Sequence, residues 1–237
     1  MTQTDQLSQL AARTAEEGLA WVAAHFRAPV FSTSLGEEDQ ALTYLIAHQH
    51  LPISIFTIDT GRLFAETYDL IALTSQRYRV PIQVYFPDAS RVERYVGQNG
   101  INAFYTSMEL RKECCNIRKV APLQRALQGA DVWITGLRVA QSASRQQMKK
   151  VEWDNHYQVI KYNPLLDWSD EQLHYFTTEH NIPVNPLHKK GFASIGCAPC
   201  TRALQAGEDA RAGRWWWENS TKECGLHIPQ QPLGRPA

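Results

Sequence analysis

The stretch APVFSTSLGEEDQ (28–40) runs from a short apolar segment through a hydroxyl-rich turn into an acidic helix start. Apolar residues close at a turn with a single glycine, and a helical pattern follows at once. That order is the first half of a βαβ unit. The same alternation recurs: ISIFTIDT (53–60), IQVYFP (82–87) and ADVWITGLR (130–138) read as further buried strands. Helical patterns fill the intervals at 38–50, 63–79, 88–98 and 116–129. Strands alternating with helices at this spacing predict an α/β, Rossmann-like, mostly parallel sheet covered by helices on both faces. Ligands of such sheets bind beyond the carboxyl ends of the strands, which directs attention to STSLGEED, IDTGR and TGLRVAQSASR.

Residues 1–27 read as an N-terminal helical segment and 28–207 as one nucleotide-binding domain, with 208–237 a C-terminal tail. Within the domain, VEWDNHYQVIKYNP suggests an edge hairpin, and DWSDEQ starts a helix near 169–180. The tail, ending PQQPLGRPA, is too polar and proline-rich for a packed element, and is expected to be mobile.

Lysine plus arginine and aspartate plus glutamate number 24 each, so no overall field favours nucleic acid or an anionic membrane. The N-terminus has neither a signal-peptide core nor a transit pattern, and no apolar run reaches membrane-spanning length; the expectation is a soluble, cytoplasmic protein. Five cysteines in a chain with 43% hydrophobic residues argue for metal or redox chemistry over a disulfide framework.

The hydroxyls Ser32, Thr33 and Ser34, with Gly36 permitting close approach, form either an anion cradle or an ordinary capped turn. Glu37, Glu38 and Asp39 suit the positive end of the helix in both cases. Asp59, Thr60 and Gly61 form a turn at the second strand exit, and Arg138 and Arg145 lie on the loop leaving the fourth. Cys114 and Cys115 in RKECCNIRK, with Cys197 and Cys200 in SIGCAPC, suggest one metal centre. Adjacent side chains diverge, which favours the wider corners of an iron–sulfur cubane over a single zinc ion. Zinc, a disulfide and buried free thiols stay open. Arg111, Lys112, Arg118 and Lys119 would balance a negative cluster. Arg211 and Arg214 stand beside three consecutive tryptophans, read as a core anchor, an oligomer contact or a stacking surface. Cys224 in KECGLH is either a stray thiol or a nucleophile activated by cationic neighbours such as Lys222 and His227.

Taken together, SLGEEDQAL, DTGR, KECCNIRK, GLRVAQSASR, SIGCAPCT, GRWWWE and KECGLH resemble the assimilatory adenylylsulfate reductases of the phosphoadenylylsulfate reductase family, from about residue 30 to 228. Leu35 departs from the phenylalanine usual there. The resemblance implies reduction of adenylylsulfate to sulfite and AMP with electrons from thioredoxin, through an S-sulfonate on Cys224. It implies a [4Fe–4S] cluster on Cys114, Cys115, Cys197 and Cys200, and a homotetramer. It places Ser34 to Asp39, Asp59 to Gly61 and Arg138 to Arg145 at the nucleotide, and Lys119, Arg211, Arg214 and His227 near the phosphosulfate or the tail. Competing expectations are the 3′-phosphorylated substrate, an iron–sulfur redox sensor without catalysis, and an ATP-dependent adenylating enzyme. The first is tested by comparing rates, the second by Cys224→Ser and the third by pyrophosphate release.

Overall fold

The computed structural model describes residues 3–142 and 145–218. Cys224 and His227 therefore lie outside the described residues. Among the described residues six strands form one sheet: β1 (Pro29–Ser32), β2 (Ser54–Ile58), β3 (Ile82–Tyr85), β4 (Val132–Ile134), β5 (Val151–Asp154) and β6 (Val159–Tyr162). Their order is β3-β2-β1-β4-β6-β5, and every pairing is parallel except that of the edge strand β5 with β6. The expected hairpin is thus present, and its second strand extends the parallel sheet beside β4.

Alternation along the strands builds two cores. Phe31, Ile55, Val132, Ile134, Ile160 and Tyr162 face one side, where α1 (Gln3–Ala11), α2 (Ala15–His25), α3 (Glu37–His48) and α8 (Asp170–Glu179) cover them. Phe56, Trp133 and Val159 face the other and meet Leu123, Ala126 and Leu127 from α7 (Ala121–Ala126) and the turn after it. α4 (Ala65–Tyr78) and α5 (Ala89–Asn99) complete the crossovers. Capping boxes at Thr14–Glu17 and Ser169–Gln172 fix the starts of α2 and α8 by satisfying N–H groups that the helices cannot.

The chain winds from β1 outward through β2 to β3, then returns to the other side of β1 with β4. This reversal opens a crevice between the exits of β1 and β4.

One expected helix resolves differently. The interval read as a helix over 116–129 is preceded by α6 (Met108–Cys115), continues as a π turn (Asn116–Val120), and becomes α7 only at Ala121. Ser107, accepting from the Leu110 N–H at 3.2 Å, starts α6 three residues after a 3₁₀ turn. Charged and polar residues around the cysteines hide this helix from an apolar periodicity. Residues 211–218, counted with the tail on composition, partly pack against the domain: Arg214 bridges Thr201, and Trp215 is 1% exposed.

Candidate functional site

The crevice between β1 and β4 is a cleft of about 590 Å³. Its rim carries Ser32, Ser34, Gly36, Arg138, Arg145, Arg211 and Arg214, and its floor is Phe56, Ile58, Leu123 and Trp133. Long-range folding therefore brings together residues that the sequence separates by well over a hundred positions.

The loop after β1 is shaped by its own carboxylates. Asp39 Oδ2 accepts from the Ser34 N–H at 2.6 Å and the Ser34 hydroxyl at 2.7 Å. The backbone adopts its unusual left-handed angle at Leu35, φ 61°, and not at Gly36. Burial of Leu35 at 1% exposure and an N–H donated to Thr33 Oγ1 hold that conformation in place. Gly136, at the exit of β4, is a glycine by necessity: a Cβ there would stand 2.2 Å from Asp39 Oδ1. Ser32, expected as a donor to an anion, accepts the Trp133 indole N–H at 2.8 Å. Arg138 is buried and its fork is taken: Glu38 Oε1 lies at 2.8 and 3.0 Å, Asp170 Oδ1 at 2.7 Å and the Trp168 carbonyl at 3.0 Å. Arg145 is likewise buried and donates to Gln141.

Burial pushes the Asp39 carboxyl up to about 7, outweighing the donations from Ser34, with the neighbouring Glu38 charge adding to the rise. The folded state then holds this proton more tightly than the unfolded state. The stabilisation is complete below the ordinary value near 3.8 and is lost as pH rises through about 7. Relative to Asp39→Asn, the parent should lose on the order of 4 kcal/mol of unfolding free energy across that window. Parallel stability profiles of the two proteins from pH 4 to 7.5 would contradict this.

Cys114, Cys115, Cys197 and Cys200 line one smaller cavity together with Arg62, Phe104, Arg111, Arg118, Lys119 and Trp215. All four thiols are free of disulfides. The π turn directly after Cys115 lets an adjacent cysteine pair and Lys119 address the same space. Among the described residues, no group of three or more His, Cys, Asp and Glu side chains is arranged to hold a metal ion, and the four cysteines line one cavity. Thr60 Oγ1 lies 3.2 Å from Cys197 Sγ, and Arg118 donates to the Thr60 carbonyl at 2.7 Å. Thr60 thus lines the cleft but is bonded to the cysteine side. Asp59 accepts from the Gly61 N–H and the Tyr68 hydroxyl, fixing the turn that carries Thr60.

Burial raises the Cys114 thiol and drives Cys200 to about 12. At Cys197 burial acts in the same sense, but Lys119, the Thr60 hydroxyl, Arg214 and Arg118 together outweigh it and lower the thiol. Lys119 and Cys197 line both cavities, so the two sites share a wall.

The phosphoadenosine phosphosulfate reductase domain matches residues 28–203 of this chain. The chain belongs to that family. It is 50% identical over 213 residues to the adenosine 5′-phosphosulfate reductase of Allochromatium vinosum, covering 88% of this chain and 83% of that protein. It is 51% identical over 202 residues to the protein of that name from Rhizobium meliloti, covering 85% and 76%. Phosphoadenylyl-sulfate reductase of Candida auris, solved with phosphate, superposes with a TM-score of 0.73 at 26% identity, over 85% of this chain and 98% of that one. The FMN adenylyltransferase of Candida glabrata, at TM-score 0.56 and 17% identity over 95% of this chain and 78% of its own, shares the fold.

Within this reductase family fold, Gly136 and Glu218 are participants to which sequence reasoning gave no role. Arg62 closes the DTGR motif already singled out but was given no role of its own, and it lines the cysteine cavity. Lys112, counted among the balancing cations, is exposed and does not line the cysteine cavity. Of the three tryptophans, Trp215 is the buried anchor, Trp217 packs on Tyr105 at 4.5 Å, and Trp216 is exposed. No helix among the described residues is long and apolar enough to cross a membrane.

Proposed function

We propose that this chain reduces adenosine 5′-phosphosulfate to sulfite and AMP in sulfate assimilation, with thioredoxin as reductant and Cys224 as nucleophile. The observation that carries the reading is a cation-rimmed cleft at the switch point of the sheet that shares Lys119 and Cys197 with a four-cysteine cavity. The names of the relatives near half identity support the same substrate.

The donor set of the second cavity fits a [4Fe–4S] cluster: four thiols in two pairs, partly enclosed by aromatic rings and faced by four cations. Cys114, Cys115, Cys197 and Cys200 would hold it. When bound, the cluster supplies a fixed negative centre beside Lys119 and ties α6 to the 197–200 turn.

The chain's own residues carry the reaction. The cleft binds the nucleotide, and Lys119, Arg211 and Arg214 face the phosphosulfate. The Cys224 thiolate attacks sulfur; a Cys–sulfur bond forms, the bond from sulfur to the bridging oxygen breaks, and AMP leaves with that electron pair. A thiolate of thioredoxin then attacks Cys224 Sγ, expelling sulfite with its electron pair and leaving a mixed disulfide. The second thioredoxin thiol resolves it, so the dithiol supplies both electrons and Cys224 is regenerated. Cys224 must therefore serve an enclosed step and then meet a protein. A homotetrameric, cytoplasmic enzyme completes the reading.

Intact mass spectrometry after incubation with adenosine 5′-phosphosulfate, without reductant, should show one sulfonate on the Cys224 peptide, removed by reduced thioredoxin. An unmodified Cys224 with the cluster intact would overturn this assignment. Initial rates on the substrate and on its 3′-phosphorylated form test the choice between the two.

A further inference from the structure

Arg111 lies one helical turn before Cys115 on α6 and points to the far end of the described chain. Its Nε donates to Glu218 Oε1 at 2.9 Å and a terminal nitrogen to Glu218 Oε2 at 2.7 Å, a two-point ion pair whose side chains are each only 7% exposed. The same guanidinium lies 4.7 Å from the ring of Trp215, whose other cationic neighbour, Arg214, is at 4.9 Å. The Trp215 N–H donates to the Cys200 carbonyl, and the Glu218 N–H to the Trp215 carbonyl. Both cysteine pairs are thereby joined to residues 214–218. Glu218 stands six residues before Cys224.

We propose that the Arg111–Glu218 pair is a positioning latch that fixes the root of the segment carrying Cys224, and so sets where its thiol meets the sulfur. The inference rests on the proposed role of Cys224. With Glu218 held, six residues reach at most about 21 Å; released back to the Thr201–Arg214 bridge, ten residues reach about 35 Å. Slack alone is a small effect. Effective concentration falls as roughly the −3/2 power of tether length, which amounts to about twofold here. Lost orientation is the larger effect, because misplacement of a reacting group by about 1 Å costs on the order of 100-fold.

The test uses the full-length, cluster-loaded protein. Glu218→Gln should slow single-turnover sulfonation of Cys224 by about tenfold or more, with AMP affinity and iron content within about twofold of the parent. It should also speed tryptic cleavage after Lys222 several-fold. A sulfonation change of twofold or less, unchanged cleavage, or a fall matched by loss of AMP binding or iron would overturn the latch. The pair Arg111→Met/Glu218→Met removes both buried charges and should recover the melting temperature, yet leave sulfonation slow. Recovery of both would mean that only an unpaired buried charge mattered, and would overturn it as well. Trypsin needs no sulfur chemistry, so a parent protein that takes up no sulfonate would refute the activity reading while cleavage still decides the latch.

Discussion

Serine in place of Cys224 is expected to end sulfite release, with turnover falling at least about 10⁴-fold while AMP binds as before. Two separate barriers combine. A serine hydroxyl is a far weaker nucleophile near neutral pH than a thiol, here one flanked in sequence by Lys222 and His227. If it did attack, the product would be a sulfate ester, with no sulfur–sulfur bond for a dithiol to exchange with. The first barrier lowers the rate and the second blocks the cycle outright. Coupled detection of sulfite, alongside equilibrium AMP binding, checks both parts. Residual sulfite production above about a thousandth of the parent rate would remove Cys224 from the mechanism.

The second large effect is expected at Gly136→Ala. The new methyl carbon would stand 2.2 Å from Asp39 Oδ1, 3.3 Å from Asp39 Cγ and 3.1 Å from Glu38 Cβ. These atoms belong to the first turn of α3, and the Asp39 side chain is held by Ser34. Relief requires moving the loop after β1 away from β4. Overpacking of this kind costs about 1–3 kcal/mol, and widening the cleft rim by an ångström should cost about 100-fold in turnover. Chemical denaturation and steady-state kinetics on the same preparation measure the two effects. A variant of parental stability and rate would show that the loops separate freely.

The contrast between these sites shows what the sequence could reveal. Strand exits were legible because apolar runs, turn residues and helix starts are local signals, and the parallel topology then fixed which exits converge. The cysteine pairs were legible as pairs from their spacing. Other features depended on distant neighbours. Gly136 looks like any turn glycine until Asp39 is placed against it. Arg138 looked like a free anion-binding fork, whereas Glu38 and Asp170 already occupy it. Glu218 looked like part of a polar tail, and only the geometry of α6 pairs it with Arg111. The helix around Cys114 and Cys115 was hidden because much of its inward face is arginine and cysteine lining a cavity, with Leu110 packed on a small apolar cluster beside it.

The π turn at Asn116–Val120 carries a consequence for how such a site tolerates insertion and deletion. A π turn takes up one residue more than the α-helix over nearly the same rotation, so the helices on either side stay almost in phase. Deleting one residue there would let α6 and α7 fuse into an uninterrupted helix in which four α residues cover the rotation that the five of the π turn cover now. Cys114 and Cys115 would then keep nearly their present facing toward Lys119, and the change would be confined to the turn itself. A single-codon deletion could thus remove the π turn and still leave the thiols and the lysine on one cavity.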